Sequence, residues 1–294
     1  MDSTINLKVI DLKKVINDFD NEYFNVNNLY EELPKDYNKI KLAGNTKNWI
    51  DIFHKNNYIK IIIDKNDFKW IKEANKLSII TGRFSEIYRE NLNDLVYKLK
   101  SAYSADSVCS KYINNGVFVR TEHVSLKSGK YGIGPYYNFE TIIESICTTS
   151  RTHNAIDDSD EFITIYLMKW IDLNPDKEFR IFVYNNNITG ISIQHIYEYN
   201  KWINSISTSD IELLIKNINN YFNNIFKEKW NKTITSSLVS NYTFDLVLND
   251  QNEFYFIEPN SFGSKYCAGS ALFHWITDHE ILYSDNNIEF RYTN

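Results

Sequence analysis

The stretch Tyr242–Asn260, YTFDLVLNDQNEFYFIEPN, constrains the fold more than any other. Two runs alternate apolar with other residues on either side of a polar N-D-Q-N, the pattern of an antiparallel hairpin. A hairpin this rich in Phe, Tyr, Leu and Val is not stable alone in water. It requires further strands beside it and an apolar layer against its aromatic side. A turn centred on Asp250–Gln251 opposes Asp245 to Phe256 and Thr243 to Glu258. Side chains alternate along a strand, so Asp245, Glu258 and Asn260 are expected on one face, with residues 258 and 260 about 7 Å apart at Cα. Two carboxylates and an amide, with no His or Cys nearby, suit a hard cation such as Mg²⁺. Mg²⁺ shares its coordination with phosphates, so the set predicts a nucleotide close by. An acidic strand end closed by an Asn260–Ser261 turn accounts for the same residues without any ligand.

The rest of the chain supplies the partners such a hairpin needs. FITIYLMKWI, EFRIFVYNN and ITGISIQHIYEY read as strands, the last two joined by a tight N-N-N turn. Between them and the final hairpin lies STSDIELLIKNINNYFNNIFKEKW. It offers Ser207, Thr208, Ser209 and Asp210 as N-caps and a buried stripe of Ile211, Leu214, Ile215, Ile218 and Phe222. NFETIIESICTTS reads as another helix and GVFVRTEHVS as a strand. Upstream, NTKNWIDIFHKNN and NDFKWIKEANKL are short amphipathic helices around the strand YIKIIID. SEIYRENLNDLVYKLKSAYS places Ile87, Leu92, Leu95, Val96 and Leu99 near helical spacing. The expected class is α+β, with a mostly helical region 1–115 preceding a core at 116–294.

The 294 residues suit one large domain or two closely packed ones. Apolar content of 43% and aromatic content of 15% supply a sizeable core. A net charge of -6 gives no global basic field for nucleic acid. Cys109, Cys147 and Cys267 are scattered and odd in number, which argues against a disulfide framework or a zinc site and for a reducing, cytoplasmic setting. No apolar run approaches the roughly 18 to 20 residues that span a bilayer, so no membrane partner is expected.

A second cluster is YLMKWIDLNPDKEFRIFV, where Lys169, Lys177 and Arg180 flank Trp170. In the strand EFRIFV, Arg180 shares a face with Glu178 and Phe182. A guanidinium there pairs with a carboxylate or grips a phosphate bidentately. Arg120 lies on an otherwise apolar strand, where a charge requires an anionic partner from protein or ligand. Lys127 and Lys130 follow in SLKSGKYGIG, which lacks the spacing of a Walker-type phosphate loop.

Taken in order, these segments resemble the Cdc123 (D123) family. The resemblance rests on Lys169-Trp170, Glu178-Phe179-Arg180-Ile181-Phe182-Val183, Gly190-Ile191-Ser192, Phe244-Asp245, Glu258-Pro259-Asn260-Ser261-Phe262-Gly263, an expected helix at Leu272-Phe273-His274-Trp275, and the ending Phe290-Arg291-Tyr292-Thr293-Asn294. It covers about residues 116 to 294. It implies a divergent ATP-grasp fold with ATP and Mg²⁺ bound between two α+β lobes. It also implies an assembly role toward the gamma subunit of translation initiation factor 2. On that resemblance Asp245, Glu258 and Asn260 are metal ligands, Lys169 and Trp170 border the adenine with Glu178 nearby, and Arg180 addresses phosphates. Arg120 stands where the family usually has a lysine facing the nucleotide. An alternative is an ATP-grasp ligase that joins a carboxylate to an amine through an acyl-phosphate. Glu258-x-Asn260 favours it, and Gln194 in place of a family cation counts against it. Lys127, Lys130 and His195 are its candidate substrate-side groups.

Overall fold

The computed structural model describes residues 4–21, 23–26, 32–103, 107–150, 153–266, 268–284 and 287–294; Cys267 lies outside them. The chain divides into two compact units, residues 1–44 with 173–294, and residues 45–172. This division cuts the chain elsewhere than at residue 115. The reason is the pairing of strands. β1 (Thr4–Ile10) lies parallel to β9 (Asn287–Thr293), which ties the two ends of the chain into one sheet.

The first unit carries a six-stranded sheet. Its remaining members are β5 (Glu178–Tyr184), β6 (Asn187–Ile193), β7 (Tyr242–Leu248) and β8 (Phe254–Asn260). The strand order is β1-β9-β6-β5-β7-β8. The β5–β6 turn places both Asn185 and Asn186 at positive φ, 48° and 61°, the type I′ geometry that the N-N-N sequence allows. Both faces of the centre are buried, and they differ in chemistry. On one, Phe244 stacks 4.1 Å from Phe226, and Tyr242 lies 4.1 Å from Trp230. Phe226 and Trp230 come from the π-helical segment Phe222–Phe226 and the short helix Lys227–Trp230 that continue the helix Thr208–Tyr221. That helix starts where expected, with a reciprocal capping box between Ser207 and Asp210.

The other face is apolar only toward one end. There Phe182 packs 5.0 Å from Phe273 and 5.5 Å from Trp275. The Leu272–Trp275 segment, expected as a helix, is a chain of turns. Ala271 sits at φ 48°, the Asp278 carboxylate accepts the His274 backbone N–H at 2.8 Å, and the Trp275 indole donates to the Ala268 carbonyl at 2.6 Å. Those bonds fix the turns from which Phe273 and Trp275 meet Phe182 edge-on.

The second unit carries the three-stranded antiparallel sheet β2-β4-β3, with β2 Tyr58–Ile63, β3 Val117–Arg120 and β4 Ile163–Lys169. Helices Lys65–Thr81, Arg89–Tyr103 and Phe139–Cys147 supply its core, where Ile71, Leu92, Leu95, Ile142 and Ile143 join Ile61, Val119 and Leu167. Of the stripe expected on the second helix, Leu92, Leu95, Val96 and Leu99 are buried. Ile87 precedes the helix and is 72% exposed.

Glu144 is one of the buried charges of this unit. Its carboxylate accepts from Arg89 Nη1 at 2.9 Å, Lys130 Nζ at 2.9 Å and the Tyr131 hydroxyl at 2.6 Å. Burial pushes its pKa up, but the hydrogen bonds from Tyr131, Lys130 and Arg89 outweigh it and hold the carboxyl below its ordinary 4.5. A carboxyl lowered in the folded state stabilises above its unfolded pKa, and that contribution is lost as pH falls through the folded value. A pH series of urea unfolding is therefore expected to show a midpoint that drops below about pH 4.5. Glu144→Gln should flatten that part of the profile while lowering the midpoint at neutral pH. An unchanged slope in the variant would assign the acid sensitivity to other carboxylates.

Candidate functional site

The β7–β8 hairpin closes one residue later than the sequence reading has it. Asn249 accepts the backbone N–H groups of Gln251 (3.0 Å) and Glu253 (2.8 Å) through its side chain, and Asn252 sits at φ 58°. Leu248 therefore opposes Phe254 and Leu246 opposes Phe256, and an irregularity at Asp245/Leu246 then leaves Ile257 without a partner. Beyond it Asp245 opposes Glu258, and Thr243 opposes Asn260. The expected pairings of Asp245 with Phe256 and Thr243 with Glu258 are thus replaced. The expected shared face survives, because the later turn and the bulge together shift the register by two.

Pairing across the sheet extends this into a row. Lys8, Arg291, Ser192, Arg180, Asp245 and Glu258 stand opposite one another in turn on β1, β9, β6, β5, β7 and β8. Arg180 Nε donates to Asp245 Oδ1 at 2.9 Å and Nη2 to Oδ2 at 2.8 Å, a fork-to-fork pair. Nη1 donates to the Gly269 carbonyl at 3.0 Å. Arg180 is 7% exposed and Asp245 2%. Burial opposes the guanidinium charge, but Asp245 outweighs it, with Glu258 and Glu178 adding to the effect, and the pKa is raised. Asn260 Nδ2 donates to Asp245 Oδ2 at 3.2 Å. Arg180, Glu178, Asp245, Glu258 and Asn260 are thus brought into one polar patch on one face of one unit.

A divalent cation fits this donor set. Asp245 accepts three hydrogen bonds, and a carboxylate has about four lone-pair sites, so one remains. Glu258 and the Asn260 amide complete a set of hard oxygen donors. Among the described residues no group of three or more His, Cys, Asp or Glu side chains is placed to hold a metal. An ion here would rest on two carboxylates and an amide.

Apart from His195, the remaining candidates described next lie in the other unit. Arg120 is 2% exposed, opposes Tyr166, and holds its guanidinium 4.8 Å from the Trp49 ring centroid, with Nε donating to Thr46 Oγ1 at 3.2 Å. Lys169 ends β4 exposed, its ammonium 5.4 Å from the Tyr112 ring centroid. Trp170 follows, its backbone N–H donating to the Gly116 carbonyl at 3.2 Å. Lys130 is engaged by Glu144, and Lys127 is exposed. His195, in the first unit, lies 3.7 Å from Asp176 and 3.5 Å from Glu198.

Sequence reasoning missed the other charged cluster on the row. Arg291 is 2% exposed and pairs with both Asp278 oxygens at 2.7 Å and with Glu289 at 2.7 Å. The signal was the Arg291 inside the closing F-R-Y-T-N run, an arginine alternating with Phe290 and Tyr292 in an apolar strand.

The D123 family model matches residues 139–294, just over half of the chain. The chain belongs to the D123 family. A CDC123-like protein of Acanthamoeba polyphaga mimivirus is 27% identical over 256 residues, which covers 82% of this chain and 72% of that one. C-terminally truncated Cdc123 from Schizosaccharomyces pombe superposes with a TM-score of 0.58 at 14% identity, over 88% of this chain and 98% of the other. A second structure of Cdc123 from the same yeast gives the same TM-score over 87% and 96%. At that identity the likeness is one of fold. The fold is the α+β architecture of Cdc123.

Proposed function

We propose that this D123-family protein binds ATP with Mg²⁺ and acts in the cytoplasm as an ATP-dependent assembly factor for a protein partner, the gamma subunit of translation initiation factor 2 or a relative of it. The observation that carries the reading is the Arg180–Asp245–Glu258 row with Asn260 beside it. A buried carboxylate clamped by an arginine, next to a second carboxylate and an amide, is a pre-set arrangement of oxygen donors. Its orientation costs little on binding, because Arg180 and Asn260 already hold Asp245 in place.

Asp245, Glu258 and Asn260 would hold the metal, and Mg²⁺ when bound would offset phosphate charge. The guanidinium N–H groups of Arg180 not used on Asp245 and Gly269 would address a phosphate oxygen. The family resemblance assigns further nucleotide contacts to Arg120, Lys169 and Trp170. In such a factor the nucleotide orders a surface that the partner recognises, and turnover is not required.

Calorimetric titration of ATP with and without Mg²⁺ tests the first step. Wild type is expected to bind only with Mg²⁺. Glu258→Gln and Asn260→Ala should each weaken binding at least tenfold without unfolding, because both side chains are only half-buried. Absence of binding by wild type would sink the proposal. Pull-down of the purified gamma subunit, with and without ATP, tests the second step. Nucleotide binding without any capture would leave an ATP-binding protein with a different partner.

A further inference from the structure

Gly269 marks the place where a second part of the chain reaches the Arg180 side of the site. A side-chain Cβ at this position would stand 2.5 Å from Arg180 Nη1 and 2.7 Å from Asn25 Oδ1. Gly269 is not among the residues at positive φ, so the missing side chain answers to space and not to backbone conformation. Arg180 cannot yield that space, because Asp245 holds it by Nε and Nη2. Two polar ends therefore converge on one spot, and a residue other than glycine would drive them apart.

Asn25 is fixed from its own side. Its backbone N–H donates to the Ala271 carbonyl at 2.7 Å, and the Val26 N–H donates to Ser270 Oγ at 2.9 Å. Phe24 and Val26 are 4% and 3% exposed, while Asn25 between them is exposed. Asn25 sits at φ 57°, which asparagine adopts more readily than most residues. Buried neighbours and two backbone bonds thus hold a short strap against the loop 268–271, with one amide turned outward beside the guanidinium. All of this lies in the first unit, and Asn25 stands outside residues 139–294 that the family model matches.

We infer that Asn25 is a further ligand-binding residue of this site, donating from its amide to the same phosphate that Arg180 addresses. This assignment rests on the proposed function. Arg180 spends Nε and Nη2 on Asp245, which leaves Nη1 on the opposite edge, and Nη1 keeps one N–H beyond its bond to the Gly269 carbonyl. Asn25 stands at that edge. A metal ion is disfavoured there by the guanidinium charge, whereas an anionic oxygen gains from it. A half-turn of the amide exchanges Oδ1 for Nδ2, so a group that faces the cation in the free protein becomes a donor to the phosphate.

Calorimetric titration of Mg²⁺-ATP into the full chain tests the assignment, with urea unfolding run beside it. Asn25→Gly and Asn25→Asp both tolerate a positive φ and alter an exposed side chain, so both should keep the wild-type unfolding midpoint. Asn25→Gly is expected to weaken binding about tenfold, the effect of losing one hydrogen bond to a charged group. Asn25→Asp should weaken it further, because a carboxylate cannot donate, repels the phosphate and competes for Arg180. A purely structural strap would not rank the two variants in that order. Wild type that binds while both variants match it would overturn the assignment and leave the proposed function standing. Equal weakening by glycine and aspartate would also overturn it, by making the residue a support of the strap and not a contact. No binding by wild type would remove the proposed function and this assignment together.

Discussion

Arg291→Leu is expected to lower the stability of the first unit by about 3–5 kcal/mol, the usual consequence of removing one partner from a buried ion pair. The guanidinium is 2% exposed and spends nearly all its hydrogen-bonding capacity. Nε goes to Glu289, Nη1 to both the Leu272 carbonyl and Asp278 Oδ2, and Nη2 to Asp278 Oδ1. It also lies 4.1 Å from the Phe273 ring centroid. Leucine fills part of the volume but leaves Asp278, 9% exposed, as a buried carboxylate without its cation. Asp278 in turn accepts the His274 N–H that shapes the turns carrying Phe273 and Trp275 over the sheet. The loss should therefore spread from β9 into that aromatic layer. Urea unfolding followed by circular dichroism measures it, and Arg291→Lys separates charge from geometry. Lysine keeps the charge but cannot reach three acceptors in a plane, so it should recover only part of the loss. Full recovery by lysine would mean the planar fork contributes nothing.

What could be read in the sequence was local. Ser207 and Asp210 sit three apart ahead of an apolar stripe, and that spacing alone fixes a helix start. Three asparagines between two alternating runs fix a hairpin, because asparagine tolerates the left-handed conformation both turn positions require. That Glu258 and Asn260 share a face was legible from alternation alone, whereas Asp245 joins them because the later turn and the bulge together shift the register by two. Neither the later turn nor the bulge at Ile257 was legible: the turn rests on Asn252 and the side chain of Asn249, and alternation does not reveal the extra residue. Nor was the partner of Arg180. It stands on a strand 65 residues away in sequence, and periodicity says which face a residue takes but not which strand lies beside it. The same limit explains the units. Nothing in TINLKVI announces that it pairs in parallel with the last strand of the chain.

Under the proposed function the Arg180–Asp245 pair would have two separable roles, in the sheet and toward the ligand, and a pair of substitutions tells them apart. Asp245→Ala alone is expected to lose about 3–5 kcal/mol, because it strands a guanidinium that is 7% exposed. Loss of Mg²⁺-ATP binding in that variant would then report unfolding as readily as a missing metal ligand. Arg180→Met alone should cost a similar amount by stranding Asp245. Replacing both, Arg180→Met/Asp245→Leu, removes the two buried charges together. Well-packed apolar residues of similar volume in place of a buried pair are often neutral or stabilising, so the double variant should recover most of the unfolding midpoint. What it should not recover is nucleotide binding. A double variant that folds like wild type and no longer binds Mg²⁺-ATP assigns the pair to the ligand as well as to the sheet. A double variant that regains both would assign the pair to the sheet alone and show that Mg²⁺-ATP binding needs neither side chain.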